Sequence, residues 1–244
     1  MEVHHHSHTS RKKWTHYFWE FLMLFLAVFC GFLAEYQLEH KIERDREKKF
    51  IKTFIEDLKS DTAAVRQNIA FRQNKMKAMD TLMFLLNNQK IKGHENDLYY
   101  LSRSFVRGVR FQSNDRTITQ LKNSGALRLI RNEKAADSMI SYQKLVEYIY
   151  YNQEDDRIER READPLLSHI FYPAVYDKMV TSDGINRPTD NPPLRSYDKN
   201  LHYDLAYYVH QLKGSNFMII GRLSLLNEKA KNMISFFKKE YHLK

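Results

Sequence analysis

Scarcity is the first thing this sequence shows. Its 244 residues hold one cysteine, five prolines and seven glycines. A single thiol, Cys30, excludes a disulfide framework within one chain and any cysteine-based metal site. The long thiol-free stretch beyond it suits an oxidising compartment. So little glycine and proline argues against a sandwich or a barrel, both of which need many tight turns. No period-two strand of useful length and no internal repeat is present. A Walker loop, a dinucleotide fingerprint, a zincin motif and a Gly-x-Ser-x-Gly elbow are also missing. Net charge is +9, from 39 Lys and Arg against 30 Asp and Glu, but the two signs are interspersed throughout. There is no basic recognition helix, zinc-finger spacing or RNA-binding aromatic motif, so nucleic acid is not an expected partner. An anionic lipid surface would attract the same charge balance. Fifteen Phe and fifteen Tyr supply enough apolar bulk for a real core.

What the chain does have is one long hydrophobic run, residues 21–34, reading Phe-Leu-Met-Leu-Phe-Leu-Ala-Val-Phe-Cys-Gly-Phe-Leu-Ala. A bilayer-spanning helix needs roughly 20 apolar residues. Trp14, Tyr17, Phe18 and Trp19 extend the run upstream, and Tyr36 and Leu38 extend it downstream. The window 14–38 contains no Lys or Arg, and its aromatic ends suit the headgroup belt. We read it as a single transmembrane helix in contact with a lipid bilayer. A cleaved signal peptide would also show a basic start and an apolar centre, but no good small-x-small cleavage site follows. A buried core helix would be apolar on every face, as this stretch is.

Glu20 stands out, because an acid at membrane depth is costly. It either reaches water at the interface or joins Glu20 side chains of other subunits to share protons or a cation. Ala27 and Gly31, four apart, form a small-residue face that permits close helix contact. Arg11, Lys12 and Lys13 precede the span and a denser basic set follows it from Lys41. The side of the membrane holding the C-terminal bulk is therefore left open.

Beyond the span a 3-4 spacing of apolar residues continues through Ile51, Ile55, Leu58, Thr62, Val65, Ile69, Arg72, Met76, Met79, Met83 and Leu86. This heptad seam predicts an uninterrupted helix leaving the membrane, with residues 39–92 as a coiled-coil-like stalk. The seam serves either a homo-oligomer or an intramolecular bundle; other membrane proteins are further candidate partners. Lys92-Gly93 ends the helix.

A second helix is predicted over residues 95–110, with Leu98, Leu101, Phe105 and Val109 on one face. Asn114 or Asp115 caps a short helix carrying Ile118 and Leu121. Ser124-Gly125 stops that helix, and Asn132 caps the next long one, which carries Met139, Tyr142, Val146 and Ile149. Residues 155–162 are charged on all sides and read as solvent-facing. Asp164-Pro165 restarts a helix with Ile170, Phe171, Val175 and Met179 inward. Residues 181–200 form a polar loop, either a binding element or mobile. Two final helices, 201–213 and 216–241, are separated by Gly214. The expected fold class is all-α: an N-terminal tail (1–13), a transmembrane helix (14–38), a stalk (39–92) and a helical domain (93–244).

Two segments carry a family resemblance. One is the start, Met1-Glu2-Val3 with His4, His5, His6 and His8, followed by the acid-led span from Glu20 to Glu35. The other is Leu121, Ser124, Gly125, Leu127, Ile130 and Asn132, a Leu-x-x-Ser-Gly-x-Leu-x-x-Ile-x-Asn element. Together they resemble a family of single-pass, mostly helical inner-membrane proteins common in Bacteroidota. The resemblance implies a cell inner-membrane location and implies no activity. It favours a native histidine cluster over an affinity-tag remnant.

Candidate chemistry is sparse. His4, His5, His6 and His8 would suit Zn²⁺, Cu²⁺ or Ni²⁺, but no carboxylate or thiol partner sits at fixed spacing. A flexible tail binding metal adventitiously is the plainer reading. Asp155, Asp156, Glu159 and Glu162 stand beside Arg157, Arg160 and Arg161, with 155, 159 and 162 on one helix face; a metal, a phosphate or bulk solvent would explain them. Tyr142, Tyr148, Tyr150 and Tyr151 read as packing. No cofactor is expected. The sequence points to a non-enzymatic, membrane-anchored scaffold or accessory subunit. A proton- or cation-responsive assembly built on Glu20 is the second reading, and a membrane-bound enzyme of unrecognised type is the third.

Overall fold

Helices make up most of the described residues in the structure, a computed structural model that describes residues 14–243. The histidine cluster at positions 4–8 lies outside the described residues. The chain divides into two compact units, residues 1–50 and residues 51–244.

The first unit is the opening part of helix α1 (Trp14–Asn87). An 18-residue window there has a mean hydropathy of 2.0 and none of it is buried, so this stretch is long and apolar enough to cross a membrane. Phe21, Leu24 and Val28 are 65, 69 and 75% exposed. Phe21, Phe25 and Phe29, spaced one turn apart, stack with ring centroids 6.2 and 5.9 Å apart. An apolar helix left uncovered among the described residues is a helix suited to lipid.

The second unit is a helical bundle. It comprises α1 from Ile51 onward, α2 (Glu95–Phe105), α3 (Arg116–Asn123), a 3₁₀ turn (Ala126–Leu129), α4 (Glu133–Glu162), α5 (Asp164–Ile170), α6 (Pro173–Met179) and α7 (Lys199–Glu240). A hairpin of two two-residue strands, β1 (Val180–Thr181) and β2 (Gly184–Ile185), follows α6. The heptad seam faces inward. Ile51, Ile55, Leu58, Val65, Met79 and Leu86 are buried, and Ile69, Met76 and Met83 are half-buried. Phe54 meets Tyr142 of α4 and Phe237 of α7 edge-on, at 6.2 and 6.0 Å between centroids. Further along, Met79, Leu82 and Leu86 join Leu98, Phe105, Ile170, Phe171, Leu205 and Val209 in one core. Each such side chain contributes roughly 1.5–3 kcal/mol by leaving water. Of the two uses for the seam, its apolar positions therefore serve the intramolecular one. From Ile51 on, the expected stalk is a bundle helix.

Several boundaries differ from expectation, each for a physical reason. Helix α2 stops at Phe105 rather than at residue 110. The strip that follows is gripped by Gln153, whose Oε1 accepts from the Phe111 amide (2.7 Å) and whose Nε2 donates to the Phe111 carbonyl (3.1 Å). That exchange supplies Phe111 with the backbone partners a helix would have given, and Val109 is exposed rather than on a core face. The helix restarted at Asp164-Pro165 breaks at Phe171 and resumes at Pro173, because proline lacks the amide that would continue it. The last two expected helices are one, α7, running through Gly214. A helical glycine costs only about 1 kcal/mol, and inward-facing Leu205, Val209, Leu212, Ile219, Leu223 and Leu226 outweigh it. The 181–200 loop is anchored: Glu95 accepts from Asn191 (2.6 Å) and Tyr197 (3.1 Å), Tyr99 donates to the Pro193 carbonyl (3.0 Å), and Leu194 is buried.

Candidate functional site

Sequence-selected residues fall in separate places. Glu20 is half-exposed and sits 3.2 Å from His16, one turn earlier. Ala27 and Gly31 lie on the exposed apolar helix, and a Cβ added at Gly31 would meet nothing within 4 Å. In the Ser-Gly element, Leu121 and Ile130 are buried and Leu127 is half-buried. Gly125 adopts φ 65°, a left-handed conformation that glycine accepts most easily. Asn132 caps α4 by accepting from the Ala135 amide at 3.1 Å. This element is a helix end followed by a helix start.

Two acidic residues on α1, Asp57 and Asp61, organise the chain just ahead of that element. Asp115 occupies the cap position of α3, but its side chain makes no capping bond. The acceptor comes from α1 instead: Asp57 Oδ2 accepts from the Thr117 amide (2.9 Å) and from its hydroxyl. Asp61 accepts from the Asn114 amide (2.6 Å), the Tyr142 hydroxyl (2.7 Å) and the Ser113 hydroxyl. Burial pushes the Asp61 carboxyl up, and these three donors hold it back. The tyrosine group thus splits. Tyr142 is a buried donor and the Tyr150 hydroxyl accepts from the Ser113 amide (2.8 Å), while Tyr151 is exposed.

A larger polar cluster sits at mid-bundle. Arg72 of α1 is 3% exposed and donates to Asn68 (2.9 Å), to Asn216 of α7 (2.8 Å) and to the Val109 carbonyl (3.3 Å). Asn216 also donates to Asp156 of α4 at 3.3 Å. Asp156 is 1% exposed and pairs with Arg160 at 3.1 Å. The charged tract 155–162 is therefore not solvent-facing on all sides; Asp156 points inward because Arg72, Asn216 and Arg160 satisfy it. Lys75 donates to the Arg107 carbonyl at 2.6 Å. Burial drives the Lys75 amine down to about 7; Asp156 opposes this, while Arg160 and Arg72 add to it. One buried carboxylate thus answers Arg72, Arg160 and Lys75. Glu159, which shares the expected acidic face, accepts from Ser215 of α7 instead (2.7 Å).

Beside this cluster lies a cleft of about 290 Å³ between the ends of α2 and α4. Arg103 and Arg107 line it from one side and Arg157, Arg160 and Arg161 from the other, with Val106 and Asp164 completing the wall. Arg160 is fixed by Asp156 and by the Val106 carbonyl (3.3 Å). Gly108 makes room for it, since an added Cβ would collide with the guanidinium. Glu154 holds Arg157 through both carboxylate oxygens. Arg103 stacks on Tyr176 at 5.5 Å, and its Nε is buried without a hydrogen-bond partner. Sequence reading grouped Arg157, Arg160 and Arg161 as a surface face. Arg103 and Arg107 lie some fifty residues earlier and gave no local signal of meeting them.

Among the described residues no group of three or more His, Cys, Asp or Glu side chains is placed to hold a metal ion. No family model, no curated protein and no solved structure matches this chain.

Proposed function

We propose that this chain is a membrane-anchored helical scaffold or accessory subunit that works by self-association and protein contact rather than by catalysis. One observation carries the reading: α1 is a single helix whose first part is apolar and uncovered and whose later part is a core helix of the bundle. A stretch of this length and hydropathy serves as a tether for the folded domain it is continuous with. The interior polar groups support the non-catalytic part of the reading, since Asp57, Asp61, Arg72 and Asn216 are occupied in holding elements together. With the seam turned inward, two other surfaces are offered for contact. One is the Ala27–Gly31 face of the apolar helix. The other is an α7 stripe of Tyr207, Phe217, Met218 and Leu225, all exposed, since clustered exposed apolar groups mark contact sites. Crosslinking and native mass analysis of the full chain in detergent test this. An oligomer that Phe217→Glu with Leu225→Glu, or Gly31→Ile, dissociates is the expected result. A strict monomer that binds no other membrane protein refutes it.

The His16–Glu20 pair favours a second reading, a proton-responsive assembly in which Glu20 is the working group. It requires that Glu20→Gln abolish the response of the assembly to pH without changing expression or assembly. Wild-type behaviour of that variant removes the idea.

A further inference from the structure

The arginine cleft has more positive charge than the fold itself accounts for. Arg103 closes the last turn of α2, and Arg160 and Arg161 close that of α4, where cations offset the negative end of a helix dipole. Arg107, however, lies beyond the end of α2, and Arg157 already has Glu154. Among the described residues, no ion pair engages Arg103, Arg107 or Arg161. Asp164 is the one acid in a wall that holds five arginines, and like charges brought together with so little counter-charge destabilise a fold. Here they also stand next to the buried excess of Arg72, Arg160 and Lys75 over Asp156.

The cleft is also pre-organised. Arg160 and Arg157 are clamped by carboxylates, so they present fixed donors at little entropic cost. Arg103, Arg107 and Arg161 have donors to spare, and the Nε of Arg103 has no partner at all. Planar guanidinium forks arriving from several directions match the oxygens of a tetrahedral phosphate, each fork taking two of them. Val106 is the only apolar residue in the wall and no aromatic ring lines it, so nothing is offered to a nucleobase or an acyl chain. A volume of about 290 Å³ lies at the small end of ligand sites.

We propose that this cleft binds a compact anion carrying phosphate groups, of the class of a diphosphate or a small phosphomonoester. Such groups come either from a soluble compound or from the headgroup of an anionic lipid, and the experiment separates the two sources. Titration calorimetry of the full chain in detergent with sodium diphosphate reads the site directly. Binding is expected, weakening as salt rises. The double variant Arg107→Gln with Arg161→Gln should lower affinity by about tenfold or more. Both side chains are exposed and free of partners, so the fold should survive, as circular dichroism will report. Arg128→Gln, away from the cleft, should leave binding unchanged. Repeating the titration in nanodiscs identifies the source. Loss of diphosphate binding in discs containing phosphatidic acid, with retention in pure phosphatidylcholine discs, supports the site with a lipid headgroup as its occupant. Retention in both supports it with a soluble one. No diphosphate binding at millimolar concentration, full binding by the double variant, or equal binding of sulfate at matched ionic strength overturns the assignment.

Discussion

Replacing Lys75 by methionine should change how stability responds to pH, not merely lower stability. Lys75 is 7% exposed, and its amine feels the charges of Asp156, Arg160 and Arg72. It titrates near 10.5 in the unfolded chain and at about 7 in the folded one. Between those values the unfolded chain binds more protons, so stability rises with pH through that window. Above 10.5 the amine is neutral in both states and its burial carries no charge penalty. Below 7 it is charged in both and the full penalty is present. Integrating one such site from pH 6 to pH 9 gives about 2.5 kcal/mol. Methionine fills similar space, carries no charge and abolishes this dependence. It also leaves the Arg107 carbonyl without its donor, a loss of about 1–3 kcal/mol that does not vary with pH. Urea unfolding of both proteins in detergent, followed by the near-ultraviolet dichroism of the buried tyrosines, measures the difference. Wild type should gain about 2.5 kcal/mol on the variant between pH 6 and pH 9. A wild-type-minus-variant difference that is the same at both values would refute the depressed lysine and the buried positive excess with it.

Three other substitutions probe the scaffold. Asp61→Ala leaves the Ser113 and Tyr142 hydroxyls and the Asn114 amide without their acceptor, so a loss of about 3 kcal/mol is expected; an unchanged melting temperature would contradict it. Gln153→Ala should release the 106–111 strip and accelerate hydrogen exchange at the Phe111 amide by at least tenfold, with about 2 kcal/mol lost globally. Gly214→Ala should raise stability by about 1 kcal/mol, because Gly214 lies inside a continuous helix with open space at its missing Cβ. A helix end at that position, as the sequence suggested, would make the same change destabilising.

Most local signals read correctly, and the non-local ones left nothing to read. The 3-4 spacing from Ile51 to Leu86, the left-handed stop at Gly125 and the cap at Asn132 each depend on residues close in sequence, and each is present in the structure. Gly214 misled because a glycine marks a helix end only when its φ turns positive; Gly93 and Gly125 do so, and Gly214 stays helical. Pro173 ended a helix that the apolar pattern alone would have carried through. Asp57 caps a helix sixty residues away, and Gln153 replaces a backbone ladder forty-two residues away. Neither relation leaves a trace in spacing. The cleft was hidden for the same reason, since three of its arginines looked like an ordinary charged helix face until Arg103 and Arg107 arrived opposite them.

The order of elements along α1 and α7 has a consequence for biogenesis. The apolar stretch 21–34 is made before α7, which sets Phe237 against Phe54 and supplies Asn216 to Arg72 but begins only at Lys199. Synthesis at roughly 5–20 residues per second separates the two events by about 8 to 33 s. Throughout that interval Arg72 and Asp156 have no Asn216 to bridge them, and Phe54 has no Phe237 against it. The inward side of α1 from Ile51 onward is therefore completed only when the final helix arrives.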